Sequence, residues 1–296
     1  MTLNTEQLGA FAPLEEQTTA TGLACIIQAQ AEVVGRLAQN TAALAEVVDA
    51  SAARLRSGNG RLVYAGAGAS GRIAVQDGVE LWPTFGWPHE RLVYLMAGGQ
   101  GALVSSIEGA EDDEASAIAA VKALKLTASD VVIGVAASGN TPYVAAVLTQ
   151  ARVDGALTVA LFNNPDCRMA TISDLPVWLD SGPEVINGST RLNAATTQKA
   201  ALNAISTMLM VRLNRTYQNI MVDMAADNLK LAVRRTRMLQ AIAPELSDGQ
   251  AQDLLQRAQG SVKLAVCLNL GLSPAQAAQR LDAAQGSLAT VLAAPP

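Results

Sequence analysis

Leu62-Val63-Tyr64-Ala65-Gly66-Ala67-Gly68-Ala69-Ser70-Gly71-Arg72 joins an apolar run to a glycine-rich turn and then to a segment that can start a helix. A strand delivered into such a turn gathers several backbone N–H groups at one spot. The first turn of the helix adds donors with no helical partner and the positive end of a dipole, so the spot attracts an anion. The glycines let backbone approach a ligand with no Cβ in the way. Gly66, Gly68 and Gly71 also fit the G-x-G-x-x-G spacing of dinucleotide folds. That reading requires an acidic residue at the end of the next strand, about 20 residues on, to hold a ribose hydroxyl. The next strand candidate, Leu92-Val93-Tyr94-Leu95-Met96, runs into Ala97-Gly98-Gly99 with no carboxylate, which favours a smaller anion.

A second loop repeats the device. Val131-Val132-Ile133-Gly134-Val135-Ala136 is an apolar strand, and Ala137-Ser138-Gly139-Asn140-Thr141-Pro142 follows it. Pro142 suits the first turn of a helix, where its missing N–H does no harm. Two Ser-Gly loops at one edge of a parallel sheet make a two-sided cradle for a small phosphate. The binding residues expected from this are Ser138, Gly139, Asn140 and Thr141 on one side. On the other are Ser70 and its neighbours Gly68, Ala69 and Gly71.

Composition bounds the rest. The chain has 296 residues, 50% of them hydrophobic and 16% charged, enough for a large core and too apolar for disorder. With only three Phe, three Trp and four Tyr, that core is built from Ala, Val, Leu and Ile. A net charge of −5 without a Lys/Arg cluster argues against nucleic acid and anionic membranes as partners. No apolar run has membrane-spanning length, and no signal peptide is expected. Cys25, Cys167 and Cys267 are far apart and odd in number, as reduced thiols of a cytoplasmic protein would be. The single His89 has no Cys or His at ligand spacing, so no metal is expected, and it reads as a surface-loop residue.

The pattern divides the chain into an N-terminal helical arm (1–57), a phosphate-binding α/β domain (58–215) and a C-terminal helical region (216–296). The arm reads as helix over about 18–57. Strands are expected at 62–65, 92–96, 131–136, 158–162 and 175–179, alternating with helices near 71–81, 100–108, 114–125 and 142–153. This alternation predicts a doubly wound parallel sheet, with ligands at the C-terminal strand ends. Beyond it, helices are expected over 193–213, 222–239, 249–258, 262–269 and 274–284.

Ser181-Gly182-Pro183-Glu184-Val185-Ile186-Asn187-Gly188-Ser189-Thr190-Arg191 is polar and turn-rich. It reads either as a loop with Ser189 or Thr190 as helix N-cap, or as a third pocket wall offering Ser189, Thr190 and Arg191. Two acidic sites also stand out. Glu80 falls near the end of the helix that starts at the first loop, beside Val79, Leu81 and Trp82, with Pro83 expected to stop the helix. A helix C-terminus and apolar neighbours favour a protonated carboxyl, a proton donor. Glu108-Gly109-Ala110-Glu111-Asp112-Asp113-Glu114 holds five acids in seven positions, a solvated helix start or a base.

These residues together resemble the sugar isomerase (SIS) family of phosphosugar-binding domains and, within it, the N-acetylmuramic acid 6-phosphate etherase family. The matching pieces are Gly66 to Arg72, Glu80 with Pro83-Thr84-Phe85-Gly86, Ala97-Gly98-Gly99, Glu108-Gly109-Ala110-Glu111-Asp112, Ala136-Ala137-Ser138-Gly139 with Thr141-Pro142-Tyr143, Gly182-Pro183-Glu184-Val185 with Gly188-Ser189-Thr190-Arg191, and Asn219 with Met221-Val222-Asp223, spanning roughly 60–235. The resemblance implies a cytoplasmic homodimer without metal or organic cofactor. It implies an enzyme that removes the D-lactyl ether from carbon 3 of a sugar 6-phosphate. By motif it implies Glu80 as proton donor to the departing lactate and Glu111 as the base at carbon 2. The chain departs from the family pattern at Asn140, where an Arg is usual, and at Asn193, where a Lys is usual. It also departs at Val79 and at Leu81-Trp82-Pro83, where the family has Ser and a Cys-Pro-Pro run. A sugar-phosphate-sensing regulatory protein and a sugar-phosphate isomerase use the same fold and stand as alternatives.

Overall fold

Five apolar runs become five strands: β1 (Leu62–Gly66), β2 (Leu92–Met96), β3 (Val131–Ala136), β4 (Leu157–Phe162) and β5 (Leu175–Trp178). The computed structural model describes residues 4–56, 58–225 and 229–293, the side chains of 229–232 excepted. All pairings are parallel, in the order β2-β1-β3-β4-β5. The central strands are buried along their whole length, as continuous apolar runs between two helical layers must be. Gly66 lies opposite Met96 and Val135, and Ala136 opposite Phe162, so the C-terminal ends meet at one sheet edge.

Helices follow in chain order: α1 (Thr19–Arg36), α2 (Thr41–Arg56), α3 (Gly68–Val79), α4 (Leu81–Phe85), α5 (Glu114–Leu124), α6 (Pro142–Val153), α7 (Arg168–Ile172), α8 (Asn193–Arg212), α9 (Leu229–Ile242), α10 (Asp248–Arg257), α11 (Val262–Asn269), α12 (Pro274–Ala283) and α13 (Leu288–Ala293). Side chains alternate along a strand, and β1 shows where each layer sits. Val63 and Ala65 pack with Ala117 and Val121 of α5, Val144 and Val147 of α6, and Met169 of α7. Tyr64 points the other way, and its hydroxyl donates to Asp77 of α3 at 3.2 Å. So α3 leaves β1 for one face while α6 leaves β3 for the other. Their divergence marks the switch point where doubly wound sheets bind ligands.

Several boundaries differ from the sequence expectation. The arm is two helices, because Asn40 donates to Trp178 O (2.8 Å) and Thr41 Oγ1 to Ala38 O (2.6 Å), and a 3-10 turn, Leu37–Asn40, breaks the run. The helix expected near 100–108 reduces to one 3-10 turn, Gln100–Leu103, since Gly98 and Gly99 take positive φ and enter it from the wrong geometry. Pro83 does not end a helix; it lies in the first turn of α4, where it costs no hydrogen bond. Helix α7 was not expected at all. Residues 222–225 are not helical, 226–228 lie outside the described residues, and α9 starts at Leu229.

By its contacts the chain forms two units, Met1–Gly78 with His89–Thr207, and Val79–Pro88 with Met208–Pro296. The second is built on a core of Leu239, Leu254, Leu255, Val262, Val266, Leu288 and Val291, among others. It contains a tandem repeat. Ser247, Gln250, Leu255 and Ala258-Gln259-Gly260-Ser261 recur as Ser273, Gln276, Leu281 and Ala284-Gln285-Gly286-Ser287. Each copy opens on a Ser/Gln capping box. Each closes its first helix on a left-handed Gln (φ 51 in both) and caps the next helix with its last Ser.

Candidate active site

The first glycine loop is set by sterics. A Cβ on Gly66 would come 2.5 Å from Gly71 Cα, and one on Gly71 would come 2.4 Å from Met96 Sδ. Helix α3 therefore starts hard against the ends of β1 and β2. Gly68 has open space but a φ of +54, which favours glycine. The helix begins here, three residues earlier than expected, so Ala69, Ser70 and Gly71 belong to its first turn. The amides of Gly68, Ala69 and Ser70 have no carbonyl to reach within the helix. That of Gly71 donates to Ala67 O at 3.0 Å, and Gly71 serves packing instead.

The second loop is held by its own side chains. Ser138 Oγ accepts from Asn140 N (3.1 Å), and Asn140 Oδ1 accepts from Arg168 N (2.8 Å) at the start of α7. Gly139 has φ +67, and a Cβ there would lie 2.3 Å from Cys167 Sγ. Thr141 is the N-cap residue of α6, with Pro142 at N1. Ser138 and Thr141 are half-buried and Asn140 is exposed. Asn140 thus pins the loop through its short amide.

In the third segment, neither Ser189 nor Thr190 caps α8. The buried Glu184 does so from a distance, accepting from Asn193 N (2.7 Å) and Ala194 N (3.0 Å). Burial raises its pKa, against the lowering effect of those two amides. Asn193 is buried and its Nδ2 donates to Pro183 O at 3.1 Å. Ser189 and Thr190 are half-buried in a tight turn, and Arg191 is exposed.

Two clefts open at the C-terminal strand ends. One, of about 310 Å³, is lined by Gly68 and Arg72 of α3, by Met96, and by Ser106, Glu108 and Glu111. The other, of about 520 Å³, shares Met96, Ile107, Glu108 and Ala110 and adds Asp113, Ser116 and Tyr143. The structure thus brings Glu111 to the first glycine loop. Neither Ser138 to Thr141 nor Ser189 to Arg191 line these clefts, although Tyr143, two residues after Thr141, lines the larger one. Arg72 braces the loop between them, donating from Nε to Ala102 O (2.9 Å) and from Nη2 to Ser105 O (3.0 Å). Glu80 lies at the N-cap of α4, in the second contact unit. It is exposed, and so are Val79 and Trp82, so of the three apolar neighbours expected around it only Leu81 is buried.

Sequence reasoning missed the buried asparagine pair that ends β4. Asn163 Nδ2 donates to Leu179 O (2.9 Å) and Thr197 Oγ1 (3.0 Å), and its Oδ1 accepts from Gln198 (2.8 Å). Asn164 reaches Ala137 O. The available signal was two adjacent amides where an apolar strand meets the ligand edge.

Residues 43–152 match the family model of the glucokinase regulatory protein N-terminal SIS domain. An N-acetylmuramic acid 6-phosphate etherase of Deinococcus radiodurans is 50% identical over 250 residues, 84% of this chain and 81% of its own. One of Serratia proteamaculans is 43% identical over 281 residues, 94% of each chain. The chain belongs to the N-acetylmuramic acid 6-phosphate etherase family. The fold of this etherase-family chain recurs in a candidate phosphosugar isomerase involved in capsule formation from Bacteroides fragilis (TM-score 0.51, 20% identity, 66% of this chain and 91% of that one). It recurs also in a protein of Escherichia coli (TM-score 0.50, 17% identity, 66% and 93%). At those identities the likeness concerns the fold alone.

Proposed function

We propose that this chain is a carbon–oxygen lyase that converts N-acetylmuramic acid 6-phosphate to N-acetylglucosamine 6-phosphate and D-lactate. What carries the reading is one cleft that joins Glu111 to Gly68 and Arg72, in a chain whose relatives named for this activity match most of its length. The phosphate is held by Ser138, Gly139, Asn140 and Thr141, with Ser70 and the first-turn amides of α3, and Ser189, Thr190 and Arg191 close a third side. With the sugar ring open, its aldehyde acidifies the proton on carbon 2. The Glu111 carboxylate takes that proton, and the C–H pair becomes the carbon 2–carbon 3 double bond. The carbon 3–oxygen pair leaves with lactate, which takes a proton from Glu80. Water then adds, hydroxyl to carbon 3 and proton to carbon 2. The arm (1–57) serves association, 58–215 binds the phosphosugar, and 216–296 is a helical region. The reaction runs in the cytoplasm in a homodimer; Leu23, Ile27 and Val34, exposed along α1, support an association surface.

The folded protein, incubated with N-acetylmuramic acid 6-phosphate, is expected to release D-lactate. Glu111→Gln and Glu80→Gln should each slow release by about 100-fold or more, the usual scale for general acid–base groups. No lactate from the folded wild type overturns the proposal. The match to a regulatory-protein SIS domain favours a sensor as second reading, and phosphosugar binding by calorimetry without turnover would select it.

A further inference from the structure

The N-terminal segment is tied to the second Ser-Gly loop through Asn164. This side chain is 1% exposed, and its amide is used on all sides. Nδ2 donates to Ala137 O (2.8 Å) and to Thr5 Oγ1 (3.1 Å), while Oδ1 accepts from Thr5 N (3.3 Å). Thr5 is equally buried, at 1%. The Ala137 carbonyl, the last before Ser138, also accepts from Asn163 N at 3.0 Å. One residue along the segment, the Glu6 carboxylate lies beside Gly188, where an added Cβ would meet Glu6 Oε2 at 3.0 Å. Thr5 and Glu6 therefore reach two of the three loops assigned to the substrate, from the far end of the chain.

We propose that Thr5 is a positioning residue: through Asn164 it fixes the Ala137 carbonyl, and the N-terminal segment is a strap that holds the Ser138–Thr141 loop in its phosphate-binding geometry. The inference rests on the reading that this loop binds phosphate. Its physical basis is the count of donors on one amide. Asn164 has two N–H groups, and both are used. Valine at position 5 keeps the shape of threonine and its backbone N–H but offers no acceptor. One N–H of a fully buried amide then has no partner, and the amide must shift or leave Ala137 to regain one. Serine keeps the oxygen.

The test uses full-length Thr5→Val and Thr5→Ser, with Thr5→Ala as a second probe should valine pack badly. In ligand-free protein, Thr5→Val should speed amide exchange across 136–142 by about fivefold while 62–75 is unchanged, and Thr5→Ser should stay within about twofold of wild type. The Kd for N-acetylglucosamine 6-phosphate should rise about fivefold in Thr5→Val, with KM raised and kcat nearly unchanged, as loss of uniform binding requires. Unchanged exchange over 136–142, or equal acceleration over the whole sheet, overturns the strap. Faster local exchange with an unchanged Kd overturns the positioning role. Should the wild type bind no sugar phosphate, the proposed activity falls, and the exchange result alone decides the strap.

Discussion

Gly71 shows how closely the ligand edge is packed. A methyl group there meets Met96 Sδ at 2.4 Å and the Gly66 carbonyl carbon at 2.8 Å, and the second of these is backbone. Gly71→Ala is therefore expected to cost about 1–3 kcal/mol, the usual range for overpacking. Gly68→Ala, with open space but φ +54, should cost about 1–2 kcal/mol from the left-handed conformation alone. Urea denaturation of the two variants checks the order, and a Gly71→Ala protein as stable as wild type would show that the helix start can move. Residues of this kind were legible because their meaning is local: Gly66, Gly68, Gly71, Ser138 and Gly139 declare a turn within six positions. Glu184 and Asn164 were not, because their partners are supplied by the fold. Glu184 was visible only as part of a motif, and nothing within its own turn says that it caps α8. For Glu80 the neighbours in sequence did not give its surroundings, since Val79 and Trp82 are exposed beside it and only Leu81 is buried.

Strands β1 and β3 are joined at their entry ends by a single carboxylate. Asp130, 1% exposed, accepts from Arg61 N (2.7 Å), Arg61 Nη2 (3.0 Å) and Thr127 N (2.7 Å). Burial pushes its pKa up, but the Arg61 guanidinium and the amides of Thr127 and Arg61 more than reverse this and hold it below the usual carboxylate value. A pKa lower in the folded than in the unfolded state, where it is about 3.9, means that ionised Asp130 stabilises fully above that pH. The contribution is lost as pH falls through the folded value. Asp130→Asn should cost about 3 kcal/mol at neutral pH, the scale for breaking a buried pair. The gap to wild type should shrink in acid, as measured by urea denaturation at pH 7 and pH 3. An equal gap at both would assign the effect to shape and not to charge. At this scale the strands were legible because continuous apolar runs of five or six residues allow little else in a parallel sheet. The expected helix over 100–108 was wrong because Gly98, Gly99 and Gly101 outweigh the apolar periodicity. The repeat of α10–α11 in α12–α13 was legible letter by letter, and it escaped a reading made window by window.

The arrangement of the whole molecule puts a question to α1. Ala29 and Val33 face inward, whereas Leu23 (55% exposed), Ile27 (64%) and Val34 (41%) form a stripe on the outside. Steps of four and seven residues keep these three within a narrow arc of one helix face. Single exposed apolar residues need no explanation, but a stripe on a helix that is otherwise half packed supports the homodimer proposed above. From sequence alone the arm read as helix from apolar residues at helical spacing, which does not say what covers Leu23, Ile27 and Val34. The homodimer proposed above predicts that the chain, 30.7 kDa, elutes with twice that mass by light scattering. Leu23→Glu with Ile27→Glu should shift it to the single-chain mass, since each charge at a closing apolar interface would be desolvated without a partner. Circular dichroism and thermal unfolding of the double variant separate loss of association from loss of folding. A wild type that runs at the single-chain mass at micromolar concentration, or a folded double variant still at twice it, would take α1 out of the interface. The stripe would then have to be explained within one chain.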